Sequence, residues 1–169
     1  MLERKFSCGE AISSSRIRRD LAAGEIKNVN MMLGYPYHIS GEIQKGEQIG
    51  RRLGFPTLNI PWHPEAHPRF GVYKAWLIGG PGSIPMPGVA NYGFRPTFGG
   101  GNDALLELHL FDPEYLPPAG SSIQVVLTDY LRPEQAFPSV DDLREQISRD
   151  VEQARAIPDG KVNFNRIGS

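Results

Sequence analysis

Hydrophobic and polar positions change their period twice along the chain. Between His38 and Leu131, short runs rich in Val, Ile, Leu and aromatic residues are separated by Gly and Pro, which is typical of strands joined by turns. The pattern predicts strands at His38–Gln44, Thr57–Ile60, Gly71–Ile78, Gly88–Tyr92, Leu105–Phe111 and Ile123–Leu131. The segment Asn91–Thr97 is predicted to be a turn. Because no helical pattern separates these runs, they indicate an antiparallel sandwich or closed barrel rather than a parallel sheet.

Helical periods flank this strand-rich region. Residues 12–34 are typical of two short helices, since Ser13, Ser14 and Ser15 offer N-caps and Gly24 and Gly34 stand where helices end. Near the other end of the chain, Ser139 is a second candidate N-cap. Apolar residues then recur on one helical face, at Val140, Leu143, Ile147, Val151 and Ala154.

Composition excludes several classes of function. The chain has 169 residues, 40% of them hydrophobic, which is typical of one globular domain with a small appendage. A net charge of -1 argues against a membrane-surface or nucleic-acid partner, including the role of a single-stranded nucleic-acid-binding barrel. The single cysteine, Cys8, excludes an intramolecular disulfide and fits a reducing cytoplasm. No run approaches the roughly 20 apolar residues of a membrane span.

The segment Gly41–Asn59 combines glycines with basic residues. It reads GEIQKGEQIGRRLGFPTLN, so Lys45, Arg51 and Arg52 lie among its glycines. Glycine lets the backbone approach a ligand closely, and exposed N–H groups beside Arg or Lys bind phosphate. Hairpin turns require the same glycines, so composition alone leaves both interpretations open. The segment is not a Walker loop, because no Gly-Lys-Ser or Gly-Lys-Thr follows the glycines.

Polar side chains on two predicted strands are candidates for chemistry. Thr57 and Asn59 share one face of an extended strand, where their oxygens suit a magnesium shell or simply make local backbone hydrogen bonds. On Leu105–Phe111, Glu107 and His109 share the face opposite a leucine stripe. A carboxylate among apolar neighbours acts as a general base in many sites, and an exposed edge glutamate is the alternative.

Taken in order, these segments resemble the riboflavin kinase family, especially the kinase half of bacterial bifunctional FAD synthetases. The resemblance runs through GEIQKGEQIGRRLGFPTLN, FGVYKAWL, PGVANYGFRPTFGG, LLELHLFD and DYLRPEQAFPSVDDLREQISRDVEQA. It implies a mainly β fold, a six-stranded antiparallel closed barrel with a C-terminal α-helix, beside the short N-terminal helical segment. It also implies a cytoplasmic kinase that uses ATP and Mg²⁺ to convert riboflavin to FMN.

The resemblance assigns roles to individual residues. Thr57 and Asn59 match the family's Pro-Thr-Ala-Asn motif, which contacts magnesium and ATP phosphate, and Glu107 matches its catalytic glutamate. Gly46 and Arg51 fall in the nucleotide loop. The positions where the family contacts flavin correspond to Leu110, Asp112 and Arg132.

Domain organisation and two departures from the family pattern leave alternatives open. Leu58 replaces the usual Ala of the motif, and residues 114–122 lack the Tyr-Gly pair of the flavin-side flap. The altered flap keeps open a flavin-binding protein that has lost kinase turnover. Residues 1–34 resemble the end of an FMN adenylyltransferase domain. A second alternative hypothesis is therefore that the chain is a fragment of a bifunctional riboflavin kinase/FAD synthetase. The predicted organisation is a remnant at 1–34, a riboflavin kinase domain at 35–157 and a tail at 158–169.

Overall fold

Within its described residues, the computed structural model contains eight strands and three helices. The described residues are 6, 7, 10–46, 54–79, 84–96, 102–112, 114, 116–159, 162, 164 and 167. The strands are β1 (Phe6–Ser7), β2 (Glu10–Ala11), β3 (His38–Glu42), β4 (Leu58–Pro61), β5 (Gly71–Ile78), β6 (Met86–Pro96), β7 (Asn102–Leu110) and β8 (Ser122–Arg132). The helices are α1 (Ser14–Ala23), α2 (Ile26–Leu33) and α3 (Val140–Ala156). Strands β1 and β2 form a separate pair.

Strands β3 to β8 form a nearly closed antiparallel barrel in the order β3-β8-β5-β6-β7-β4. The edge strands β3 and β4 meet through an isolated bridge, in which the N–H of Gln44 donates to the carbonyl of Asn59 at 2.8 Å. Gly41 permits the close approach of the two edges, because a Cβ atom there would lie 2.6 Å from Cγ2 of Ile60. The predicted six-stranded antiparallel barrel is confirmed.

Alternating side chains divide the strands between the barrel interior and its outer face. On β7, Leu106, Leu108 and Leu110 are each 0% exposed and belong to the main apolar cluster. Glu107 and His109 alternate with these leucines and therefore project from the opposite face. The leucine stripe thus determines which face of β7 is available for chemistry.

The two N-terminal helices pack against the barrel. Ser13 caps α1 through its side chain, and Gly24 ends the helix with a φ of 83°, which favours glycine. Leu21, Ile26 and Val29 are each at most 2% exposed and belong to the same apolar cluster as the barrel interior. The predicted pair of helices is confirmed, and its apolar residues complete the core of the barrel.

Helix α3 lies against the outer face of β5, β6 and β8. The hydroxyl of Ser139 accepts a hydrogen bond from the N–H of Asp142 at 3.1 Å, which confirms the predicted N-cap. Ala154 is 0% exposed and packs with Val72 and Val89 of the barrel. Among the described residues, no helix has the length and apolar composition needed to cross a membrane.

The predicted turn at Asn91–Thr97 is wrong over its described residues. Backbone pairing with β7 continues as far as Pro96, so this segment extends strand β6. Phe94 packs on Phe70 with the ring centroids 4.5 Å apart, which adds tertiary contacts to the strand. Cross-strand pairing therefore outweighs the local turn preference of Gly and Pro. Thr97 lies outside the described residues.

Candidate active site

A row of side chains crosses the outer face of the barrel. Asn59 on β4 pairs with Glu107 on β7, and Glu107 pairs with Asn91 on β6. Asn91 pairs with Val72 on β5, and Val72 pairs with Arg132 on β8. Residues that are directly opposite on neighbouring strands project to the same face of a sheet. Five strands therefore contribute to one line of side chains with Glu107 between two amides.

A cavity of about 320 Å³ lies between this row and helix α3. The side chains that line it include Phe55, Thr57, Asn91, Glu107, His109, Arg132, Glu134, Phe137, Leu143, Ile147 and Asp150. A second cavity, of about 600 Å³, lies between α2 and β8, but none of its described lining residues is a predicted site residue. The smaller cavity is therefore the candidate active site.

The β4 end of the row lies against the backbone of Gly46. A Cβ atom at Gly46 would lie 2.2 Å from Nδ2 of Asn59, so a larger residue would displace the amide. Thr57, two residues before Asn59, is half-buried and lines the cavity beside Glu107. The fold thus brings together Gly46, Thr57, Asn59 and Glu107, all predicted from the sequence.

Thr57, Asn59 and Glu107 at this end carry oxygen atoms that can bind a metal ion. The hydroxyl of Thr57, the amide oxygen of Asn59 and the carboxylate of Glu107 are the kinds of donor that Mg²⁺ prefers together with phosphate and water. Within the described part of the chain, no group of three or more His, Cys, Asp or Glu side chains is arranged to hold a metal ion. The donor set therefore fits a cation that takes its remaining ligands from a phosphate and from water.

His109 supports the entry to strand β4. It is 8% exposed, and its Nδ1 lies 3.0 Å from the carbonyl oxygen of Pro56, so Nδ1 donates to that oxygen. The ring also packs edge-on against Phe55, with centroids 5.2 Å apart. Burial lowers the pKa of His109, and the charge of Arg155 lowers it further, while the hydrogen bond to Pro56 opposes them. His109 therefore holds the residue preceding Thr57, in surroundings that disfavour its protonated form.

A partly buried ion pair joins the β8 end of the row to α3. Nε and Nη2 of Arg132 donate to the two carboxylate oxygens of Asp150 at 2.8 and 2.7 Å. Asp150 is 3% exposed and also accepts a hydrogen bond from Gln146 at 2.9 Å. Sequence reasoning missed Asp150, although a signal was present. Asp150 lies three residues after Ile147 and therefore falls on the apolar face of the helix.

Glu134 is a second site residue that the sequence analysis missed. The side chain of Asn91 donates to Glu134 at 3.2 Å. A Cβ atom at Gly93 would lie 1.8 Å from a carboxylate oxygen of Glu134, so the carboxylate lies directly on the backbone of β6. No local pattern marks this contact, because it joins the segment after β8 to a strand some forty residues earlier in the chain.

Two of the predicted flavin contacts, Leu110 and Asp112, do not line the cavity. Leu110 is 0% exposed in the barrel core, and Asp112 is exposed beyond the end of β7. Of the three predicted flavin contacts, only Arg132 lines the cavity among the described residues. Arg51 lies outside the described residues.

Comparison with known proteins gives one family. The family model for flavokinase, described as riboflavin kinase, matches residues 33–158. The chain is 43% identical over 147 residues to the bifunctional riboflavin kinase/FMN adenylyltransferase of Escherichia coli K12, covering 87% of this chain and 46% of that protein. The protein of the same name from Haemophilus influenzae is 42% identical over 147 residues, covering 87% of this chain and 47% of that protein. The chain thus spans about half the length of these curated relatives.

A solved structure shares the architecture. It is a crystal structure from Streptococcus pneumoniae described as a macrolide-efflux protein, and it superposes on this chain with a TM-score of 0.81 at 29% sequence identity. The match covers 92% of this chain and 50% of that chain. The likeness therefore extends over nearly all of this chain and, as with the curated relatives, over half of the longer protein.

Proposed function

Because this chain belongs to the riboflavin kinase family, we propose that it transfers the γ-phosphate of ATP to the 5′-hydroxyl of riboflavin and releases FMN. The observation that carries the proposal is the position of Glu107. It lies in the row between Asn59, which contacts Gly46, and the cavity beneath α3. A phosphate donor bound near Asn59 and Gly46 and an alcohol bound in the cavity would meet beside the carboxylate of Glu107.

The nucleotide belongs at the Gly46 end of the row in this proposal. Thr57 and Asn59 would hold Mg²⁺, which would supply charge neutralisation for the transferred group. Because Gly46 carries no side chain, the amide of Asn59 packs directly on its backbone, and both would face the same phosphates. His109 contributes by fixing the carbonyl of Pro56 and hence the start of the strand that carries Thr57.

Riboflavin belongs in the cavity under α3. Its walls combine apolar side chains, such as Phe55, Phe137 and Ile147, with the polar groups of Arg132 and Glu134. A planar ring with a hydrogen-bonding edge requires this combination of apolar faces and few polar groups. The cavity volume of about 320 Å³ is at the lower end of the range for small-molecule sites.

Glu107 would act as the general base. Its carboxylate accepts the proton of the riboflavin 5′-hydroxyl as the oxygen bonds to the γ-phosphorus and ADP leaves. Because the transition state of phosphoryl transfer is loose, alignment of the alcohol contributes as much as proton removal. The neighbouring amides of Asn59 and Asn91, which flank Glu107 in the row, suit that orienting role.

The direct test is product analysis. The purified 169-residue chain is incubated with riboflavin and Mg-ATP, and the flavins are separated by chromatography. We expect FMN, no FAD, and no product when ATP or the divalent metal is omitted. Riboflavin that binds but remains unphosphorylated at saturating ATP would favour the flavin-binding alternative, and formation of FAD would contradict the assignment of the chain to the kinase half alone.

A further inference from the structure

Asp150 is a buried carboxylate with no role in the proposed chemistry. It is 3% exposed and comes from helix α3, whereas the reacting groups of the proposal come from the barrel. Unpaired buried carboxylates are costly, so a buried carboxylate in a folded protein is paired and hydrogen-bonded. Its partners therefore indicate what it does.

The partners of Asp150 immobilise a single guanidinium. Arg132 contacts both carboxylate oxygens through Nε and Nη2, in the planar two-bond geometry that makes Arg–carboxylate pairs directional. Gln146, one helical turn earlier, donates to the same carboxylate at 2.9 Å. The third nitrogen of Arg132, Nη1, donates to the carbonyl of Pro133 at 3.0 Å. Every nitrogen of the guanidinium is thus oriented by the protein.

The orientation of Arg132 determines one wall of the cavity. Arg132 ends β8, and the segment that follows it carries Glu134 and Phe137 into the cavity lining. The guanidinium carbon of Arg132 lies 5.8 Å from the centre of the Phe137 ring. On the opposite side, α3 contributes Ile147 one turn before Asp150. The ion pair therefore links the wall formed by segment 133–137 directly to the wall formed by α3.

We propose that Asp150 is a positioning residue for the flavin. It holds Arg132, and through Arg132 the segment 133–137, in the geometry that receives the ring of the acceptor. This inference rests on the proposed function, because it takes the occupant of the cavity to be riboflavin. It concerns only the cavity beside Arg132, where riboflavin would bind. The binding of ATP near Gly46 should therefore not depend on Asp150.

The test replaces Asp150→Asn and compares it with Glu145→Gln. Asn keeps the shape of Asp but replaces one acceptor oxygen with an NH₂ group that faces the guanidinium, so two-bond pairing is lost. Glu145 pairs with Arg149 on the same helix, at side chains that are 64% and 63% exposed, so its substitution is a matched control. We expect D150N to raise the KM for riboflavin roughly tenfold and to change the KM for ATP less than about twofold. E145Q should match the wild type in both.

A double-mutant cycle distinguishes positioning from general loss of structure. If Asp150 acts through Arg132, D150N should change the KM for riboflavin little when Arg132→Gln is already present. An equal effect in both backgrounds, or equal increases in the KM for riboflavin and ATP, would overturn the proposal. Should D150N fail to fold, Gln146→Met removes only the supporting hydrogen bond, and the same split between the two KM values is expected at smaller size. A Q146M chain with unchanged KM for riboflavin would then overturn it.

Binding without ATP separates this proposal from the proposed function. Quenching of riboflavin fluorescence by the chain measures the Kd directly. Wild-type binding without FMN formation would overturn the kinase, and a weaker Kd in D150N than in E145Q would still support Asp150. If the wild type forms FMN normally and D150N and E145Q have equal Kd values for riboflavin, the role of Asp150 is overturned. The proposed kinase activity is then still supported. Absence of riboflavin binding by the wild type would overturn both.

Discussion

At the scale of single residues, the candidate site depends on a few side chains whose environments differ sharply. Glu107 is half-buried and lies in the row between Asn59 and Asn91. His109, two residues further on the same face, is almost fully buried and bonded to a backbone carbonyl. Both side chains line the cavity, but their surroundings differ, since Nδ1 of His109 is committed to the carbonyl of Pro56 on the adjacent strand entry.

Replacing Glu107→Gln should separate base chemistry from packing. Gln keeps the size of Glu and one acceptor oxygen but accepts no proton near neutral pH. We expect the variant to fold, to bind riboflavin and Mg-ATP, and to lose about 10²–10⁴-fold in kcat, the usual contribution of a general base. Steady-state kinetics and ligand titrations measure both quantities. Retention of more than about half of the wild-type kcat, with chemistry rate-limiting, would exclude Glu107 as the base and make His109 the next candidate.

The buried state of His109 should appear in the pH dependence of stability. Burial lowers its pKa in the folded chain, so the unfolded chain binds a proton more readily. As the pH falls below about 6.5, the usual pKa of histidine, protonation therefore favours unfolding until the lower folded pKa is passed. The free energy of unfolding, measured by urea titration from pH 7 to pH 5, should fall less steeply in His109→Gln than in the wild type. Parallel curves would show that another group causes the decline.

At the scale of secondary-structure elements, helix α3 is both a cap on the barrel and a wall of the site. Its N-terminus is fixed by Ser139, and its middle by Asp150. Its last turns are held by Ala154 against β5 and β6 and by Lys74, which donates to the carbonyl of Ile157 at 2.6 Å. Polar contacts at the middle and at the last turns therefore attach α3 to the barrel, in addition to its apolar contacts.

The N-cap of α3 gives a prediction for the element. Ser139→Ala removes the acceptor of the hydrogen bond from Asp142 and should lower the free energy of unfolding by about 1 kcal/mol. Ser148→Ala, at a half-buried position in the same helix, is the matched control, because its hydroxyl bonds only to the carbonyl of Arg144 among the contacts described. Urea unfolding followed by circular dichroism measures the difference. Equal changes in the two variants would contradict the capping role.

At the scale of the whole molecule, helices α1 and α2 share one core with the barrel. Ile26 is 2% exposed within the main apolar cluster, although the segment before residue 35 resembles another domain in sequence. The domain boundary predicted between residues 34 and 35 therefore rests on sequence resemblance, while the apolar core extends across it. For folding, the physical question is whether the helices and the barrel unfold together.

Ile26→Ala tests that cooperativity. Loss of a buried side chain of this size costs about 2–5 kcal/mol, so the unfolding of the barrel should shift to lower urea. Trp62 reports on the barrel, since it packs against Tyr37 and Tyr92. Met31→Ala, on the same helix but 57% exposed, should change the free energy of unfolding by less than about 0.5 kcal/mol. An unshifted Trp62 transition in I26A would mean that the helices form an independent unit.

Local patterns along the chain determined most of the elements and the chemistry of the central residues. Alternation on β7 assigned the leucines to the core and Glu107 to the opposite face, because successive side chains of a strand point in opposite directions. Serine and glycine marked both ends of α1, the C-terminal end of α2 and the N-terminal end of α3, because capping is a property of neighbouring backbone groups. The ordered motifs together indicated the family, which the comparisons confirm.

Only the tertiary structure decided which distant residues meet. The row of Asn59, Glu107, Asn91 and Arg132 depends on the register of five strands, and register is set by pairing between segments far apart in the chain. Pairing with β7 likewise made the predicted turn at Asn91–Thr97 a strand as far as it is described. The partner of Asp150 follows from how α3 docks on the barrel, since a local pattern reports which face of a helix is buried but not the residue it meets.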